Sequence, residues 1–163
     1  MEKKEMKEIA KAIREAILHT RMLARGLSPV DVEPSGLMAA LEDLVDSTKK
    51  LFRVSCRLEC PQPILVHDNT VATQLYRIVQ EAIQNAVKHG RPTRVKVSLA
   101  KSGATITLTI LDNGSGISTG TKFVHGMGLR IMHYRARAIG GNLTVKPAPR
   151  KGTKVECIFK STL

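Results

Sequence analysis

The sequence predicts an α/β (α+β) fold: an open mixed sheet covered by helices on one face and preceded by one long N-terminal helix. Apolar and polar residues alternate in five short stretches, the mark of half-buried strands, whereas longer segments repeat at helical spacing. The two kinds of segment are interspersed without strict strand–helix alternation, so strands joined by short turns pair antiparallel within a mixed sheet. The 163 residues, 42% hydrophobic and 25% charged, fit one globular domain at roughly 100–200 residues per domain.

Residues 3–27 place Met6, Ile13, Thr20 and Leu27 on one heptad position and Ile9, Ala16 and Leu23 three residues later, with Ala10, Ile17 and Ala24 alongside. Such a seam needs a partner helix, from a second copy or from another segment. Gly26 and Pro29 stop it. Pro34 suits the first turn of a second helix running to Leu51, with Leu37, Leu41, Leu44, Val45 and Leu51 as its apolar stripe. Val54, Cys56, Leu58 and Cys60 then alternate with polar residues as a strand ended by Pro61 and Pro63. Asp68 caps a third helix whose stripe, Val71, Leu75, Ile78, Val79, Ala82, Ile83, Ala86 and Val87, leads to His89-Gly90. Strands at 93–100 and 105–111 turn at Lys101-Ser102-Gly103. After the Gly-rich stretch 112–128, a helix over 129–139 breaks at Gly140-Gly141, and strands at 143–146 and 153–159 follow.

Composition narrows the function. No apolar run approaches the ~18 residues of a membrane-spanning helix, and MEKKEMKEIAKAI lacks the apolar core of a signal peptide. Three cysteines cannot form a paired disulfide framework, which suits a reducing compartment, so the expected location is the cytoplasm. Cys56 and Cys60 share a strand face near His67. Without a Cys-x-x-Cys pair they read as buried thiols rather than metal ligands. Aromatics at 3% and the absence of Trp argue against base-stacking platforms. The net charge of +12 concentrates between residues 82 and 155, where thirteen Lys and Arg accompany one acid, Asp112. Such a field attracts a polyanion, whether nucleic acid, anionic lipid or a nucleoside triphosphate.

Two common phosphate loops are excluded. Between Gly114 and Gly120 there is one residue too many for a P-loop, and Thr121-Lys122 stand in the wrong order. Gly114-Ser115-Gly116 is followed by Thr119 where the dinucleotide fingerprint needs a third glycine. Three other clusters carry chemistry. Glu81 and Asn85, four apart, share a helix face that Lys88 and His89 continue, and Asn85 offers an oxygen that suits Mg²⁺. Asp112-Asn113-Gly114-Ser115-Gly116 follows a strand, with a carboxylate able to accept from an exocyclic amine and glycines that permit close approach; a plain Asn-Gly turn gives the same pattern. His125-Gly126-Met127-Gly128-Leu129 opens a helix, where free amides and the dipole favour an anion.

Taken together, these runs resemble a known family. QLYRIVQEAIQNAVKHG is similar to the N box of the GHKL ATPases, LDNGSGI to their G1 box, HGMGLRIMHYRARAIGG to their G2 box and GTKVECIF to their closing strand. With ARGLSPV before them, the set is most similar to sensor histidine kinases of the nitrate-sensor/DesK class over about residues 12–160. The resemblance implies the Bergerat two-layer sandwich, ATP and Mg²⁺ as cofactors, a response regulator of LuxR type as partner, and a homodimer in the intact protein. It implies no nucleic-acid partner.

By the resemblance, Glu81 is the catalytic polar or basic residue and Asn85 the Mg²⁺ ligand, with Lys88 and His89 near the phosphates. Asp112 reads the adenine amino group, with Thr153 beside it through water, and Gly114 and Gly116 shape the adenine pocket. Gly126 and Gly128, with Met127 and Leu129 between and after them, let a short lid and the helix end approach the triphosphate. The implied domains are 1–30, the second helix of a dimerisation hairpin, and 31–163, the ATP-binding catalytic domain.

The class carries its phosphoacceptor as a His followed by an acid, on a helix before the ARGLSP-like segment. His19 is followed by Thr20 and reads as structural, and His67-Asp68 lies between Pro63 and a helix start. The acceptor is therefore expected outside this sequence, and a sensor region elsewhere in the intact protein is free to anchor it to a membrane. Two alternatives stand beside the histidine kinase. One is a Ser kinase of the anti-sigma-factor type with the same fold, against which the ARGLSP lead-in argues. The other is a non-enzymatic basic module for nucleic acid, which leaves Asn85, Asp112 and the glycines without a role.

Overall fold

The computed structural model describes residues 5–10, 12, 13, 16, 17, 20, 36–117 and 126–160. The lead-in residues among these are helical, and Met6, Ile9, Ile13 and Ile17 are exposed along it. The rest of the expected first helix, with His19, and Pro34 at the expected start of the second, lie outside the described residues.

Helix α1 (Gly36–Phe52) precedes strand β1 (Ser55–Glu59), and α2 (Asn69–Asn85) runs into a π-helical turn (Ala86–Gly90). Strands β2 (Arg94–Ser102) and β3 (Thr105–Asp112) form a hairpin; α3 (Met127–Ala138), β4 (Asn142–Pro147) and β5 (Thr153–Lys160) complete the described fold. The sheet order is β1-β2-β3-β5-β4. Among the described strands only β1 and β2 pair in parallel, because α2 makes the crossover between them; β2–β3, β3–β5 and β4–β5 are antiparallel. This is the mixed sheet with helices on one face that the alternation of patterns predicts.

Register explains the core. Val97 opposes Ile110, Leu99 opposes Leu108, and those β3 residues oppose Val155 and Cys157 of β5. Directly opposed residues share a face, and all six are buried against the helices. From the helix side Leu37, Leu41, Leu75, Ile78, Val79 and Ile83 fill the layer, each 1% exposed or less. At about 1.5–3 kcal/mol per fully buried large apolar side chain, these rows dominate the stability of the layer.

Local signals act as expected at several ends. Asp68 caps α2, its Oδ1 accepting from the Thr70 (2.7 Å) and Val71 (3.1 Å) amides. The β2–β3 turn is tighter than predicted: Lys101 and Ser102 belong to the strand, Ser102 pairs with Thr105, and Gly103 adopts φ +58°. A two-residue hairpin loop demands that left-handed geometry. Leu51 departs from the expected stripe at 42% exposure, since it falls in the last turn of α1 beyond the sheet. Helix α3 begins at Met127, two residues before its expected start. No helix among the described residues is long and apolar enough to cross a membrane.

Candidate functional site

Four segments converge where β3 ends and β5 begins: the end of α2, the turn after β3, the first turn of α3, and Gly152-Thr153. Asp112 is the last residue of β3 rather than the first of a loop, and register turns it inward opposite Val95. It is 6% exposed, and both carboxylate oxygens are held: Oδ1 accepts from the Gly114 amide at 2.7 Å and Oδ2 from the Thr153 amide at 3.2 Å. A carboxylate has about four lone-pair sites, so two amides fix its orientation and leave acceptor capacity toward the cleft that it lines.

The turn after β3 is clamped onto the α2–β2 connection. Asn113 Oδ1 accepts from the Thr93 and Arg94 amides at 3.0 and 2.8 Å, and its Nδ2 donates to Thr93 Oγ1 at 2.8 Å. The Ser115 amide donates to Gly90 O at 2.8 Å, and a Cβ on Gly114 would run into the Gly90 backbone. Gly152, at φ +104°, lies so close to the Asp112 backbone carbonyl that no side chain fits. Two backbones thus meet at glycines on either side of Asp112, which is why its position is so closely set.

At the end of α2, Asn85 Nδ2 donates to Glu81 Oε1 at 3.1 Å, the i,i+4 pair predicted from spacing. That bond directs the amide so that Oδ1, which has no protein partner among the described residues, is left for a ligand. The π turn then widens the helix end and closes with Arg91 in the left-handed region at φ 46°. π segments occur frequently at functional sites because they re-aim side chains without breaking the helix. Here His89 comes to line the cleft with Asn85. Helix α3 packs its Gly128 against Glu81, where a Cβ would overlap the carboxylate. Arg135 ties the same helices together, donating to Gln74 Oε1 at 2.8 Å; partial burial, then the nearby Arg77, lower its pKa, and the Glu81 carboxylate opposes them.

These parts enclose a cleft of about 270 Å³. Asn85, His89, Asp112, Gly116, Gly126, Gly128, Leu129 and Thr153 line it together. Four other sequence-predicted residues do not line it. Glu81 stands one turn back and holds Asn85, while Gly114 packs on Gly90 beneath the turn. Lys88 is exposed, and Met127 is 78% exposed. Thr153 meets Asp112 directly through its backbone amide. His125 and residues 118–124 of the expected lid are outside the described residues.

Sequence reasoning passed over Gly90 and Gly152, and the apolar wall of Ile110, Met132, Val145 and Val155. The alternation marks those wall residues as core, and pattern alone does not separate a core residue from one bordering a cavity. For Gly152 a local signal existed: a glycine immediately before a strand whose first residue opposes the end of its neighbour.

An apolar slot closed at its inner end by an anchored carboxylate, with an amide oxygen and helix-end amides at its rim, has the form of a nucleotide-binding ATPase domain. The chain belongs to the family of histidine kinase-, DNA gyrase B- and HSP90-like ATPases, whose family profile matches residues 70–163. It is similar to the sensor protein VraS of Staphylococcus epidermidis, 33% identical over 153 residues covering 91% of this chain and 42% of that protein. The sensor histidine kinase LiaS of Bacillus subtilis is 32% identical over 142 residues, 87% of this chain and 39% of LiaS. The nitrate/nitrite sensor protein NarQ of Escherichia coli is 29% identical over 157 residues, 96% of this chain and 28% of NarQ. The chain thus spans about two-fifths or less of the length of these curated relatives. Among solved structures, the ATP-binding domain of PrrB from Mycobacterium tuberculosis matches with TM-score 0.65 and 26% identity, covering 81% of this chain and 96% of that one. The histidine kinase domain of the Erythrobacter litoralis blue-light activated kinase shares the fold with TM-score 0.66 at 16% identity, over 82% of this chain and 66% of that one.

Proposed function

We propose that this chain is the ATP-binding catalytic portion of a two-component sensor histidine kinase. The observation that carries the reading is Asp112: a buried carboxylate fixed by two amides at the closed end of an apolar slot, placed to accept from the amino group of adenine. The purine lies between the Ile110/Val155 wall and the α3 side, and the phosphates extend past Asn85 and His89 toward the amides at the start of α3.

The residues fit a bound Mg²⁺, since Asn85 Oδ1 is a hard oxygen with no protein partner among the described residues. When bound, the ion neutralises phosphate charge. His89, the α3 amides and the surrounding cations favour the triphosphate and the charge that develops as the γ-phosphoryl group moves. In the transfer, an imidazole nitrogen of the acceptor histidine bonds to the γ-phosphorus as the bond to the β–γ bridging oxygen breaks. ADP leaves, and the imidazole proton passes through water to the Glu81 carboxylate, which stands one turn behind Asn85 and does not itself line the cleft. A response regulator with a LuxR-type output then receives the phosphoryl group on an aspartate, and the intact kinase works as a homodimer through the seam to which Met6, Ile9 and Ile13 belong.

The test is phosphoryl transfer from γ-labelled ATP in the intact kinase. Acid-labile, base-stable label, lost in Glu81→Gln while ADP still binds, supports the reading. Acid-stable label on a serine of a protein partner would instead establish the anti-sigma-type kinase, and absence of transfer by an intact, folded protein would refute both.

A further inference from the structure

The inward face of the sheet is apolar except at its two ends. At one end β3 presents Asp112 to the nucleotide cleft. At the other, the inward row of β2 (Val95, Val97, Leu99) is continued by Lys101, which pairs in register with Ile106, itself opposite Phe159. Residues directly opposite one another share a face, so a lysine stands where a fourth apolar residue would extend the core.

Beside it lies a second cavity of about 290 Å³, as large as the nucleotide cleft. Ile64, Val71, Ile106, Ile139 and Phe159 wall it, and Lys101 and Lys160, both exposed, belong to its lining. Neither ammonium group has a hydrogen bond or ion pair among the described residues, where the lysine pairs are Lys49–Asp46, Lys96–Glu59 and Lys154–Glu156. The one carboxylate in the lining, Asp68, accepts from the Thr70 and Val71 amides through Oδ1, and the positive end of the α2 dipole offsets part of its charge. An apolar wall on one side and an excess of lysine over carboxylate on the other therefore occur together. An apolar cavity of about 150 Å³ admits benzene, so this one has room for a medium-length acyl chain.

We propose that this cavity is a second ligand site, for a small amphiphile with one anionic head. The apolar body sits among Ile64, Ile106, Ile139 and Phe159, and its carboxylate or phosphate pairs with Lys101, while Lys160, next to the inward Phe159 on the alternate face of β5, adds positive charge at the rim. The site lies at the opposite end of the sheet face from Asp112, so its occupancy does not require the nucleotide reading to hold.

The experiment is a titration of the full chain, labelled at isoleucine methyls, with octanoate, octyl phosphate and neutral octanol, beside Lys101→Met and Lys160→Met proteins checked by circular dichroism. Saturable shifts at Ile64, Ile106 and Ile139 with either anion, leaving Ile110 unmoved, support the site. Affinity should fall about tenfold for octanol and in Lys101→Met, the loss expected of a charge-assisted hydrogen bond. Binding of octanoate should survive Asp112→Asn, which separates this site from the nucleotide cleft. The proposal is overturned by no saturable shift with either anion, by equal affinity for octanol, by undiminished binding in both lysine variants, or by shifts centred on Ile110.

Discussion

Gly128→Ala tests how α3 is seated on α2. A Cβ there would overlap Glu81 Oε1, lie 3.1 Å from Glu81 Cδ and 3.4 Å from Asn85 Nδ2. The obstruction is the end of a flexible side chain, so Glu81 swings aside instead of the helix moving. Its bond to Asn85 is then lost, at about 1.5–3 kcal/mol for a hydrogen bond to a charged group, toward the lower end because both residues are half-buried. Replacing a helical glycine by alanine returns about 1 kcal/mol of helix propensity. The two effects nearly cancel in stability, so a denaturant midpoint moves little. Nucleotide affinity is the sensitive readout, because a released Asn85 no longer presents Oδ1 to the cleft; ADP–Mg²⁺ binding should weaken by about tenfold, the equivalent of ~1.4 kcal/mol. In a Glu81→Ala background the added methyl meets no carboxylate, and Gly128→Ala should cost almost nothing further. A double-mutant cycle by calorimetry should therefore give a coupling of about 1–2 kcal/mol. Strict additivity, or wild-type affinity in Gly128→Ala, would refute this account of the contact.

Three further outcomes are expected. Gly152→Ala forces a side chain into the left-handed region at φ +104° and onto the Asp112 carbonyl, so urea titration should show a loss of about 2–4 kcal/mol; a loss within 0.5 kcal/mol on the same order-of-magnitude scale would show that the β3–β5 approach is looser than described. Asp68→Ala removes the cap of α2 and should cost about 1 kcal/mol with an unchanged m-value. Burial pushes the Cys56 and Cys157 thiols up to about 11 from 9.0, so the folded state retains protons that the unfolded chain releases. Stability contributed by the two thiols is complete below pH 9 and is lost as pH rises toward 11; native-state alkylation at pH 9 should modify Cys60 while sparing both, and rapid labelling of Cys56 would contradict the burial.

Much of this site was legible because its chemistry interrupts the pattern of its surroundings. Asp112 is the one acid in a long basic stretch and ends an alternating strand, so charge and periodicity both mark it. Glu81 and Asn85 are legible because helical spacing fixes which residues face together. Their mutual hydrogen bond, which frees one amide oxygen and blocks Gly128, depends on where another helix lands, and no local pattern encodes that. The π turn was missed for a related reason: Ala86–Gly90 has ordinary helical composition, and the turn it ends on packs Gly90 against Gly114, a tertiary contact that no local pattern encodes. Lys101 was read as a turn residue because Gly103 follows so closely; only the strand register shows that it faces inward.

The most direct test of the central claim is calorimetric titration of the folded chain with ADP and Mg²⁺, beside Asp112→Asn. Asparagine presents a donor where the carboxylate offers an acceptor and leaves one of the Gly114 and Thr153 amides without its partner. One-site saturable binding that weakens by about tenfold or more in the variant, the loss expected when a buried donor is left unsatisfied, is the predicted result. Undiminished binding in Asp112→Asn, or no binding by the folded wild-type chain, would contradict the assignment of this cleft to ATP.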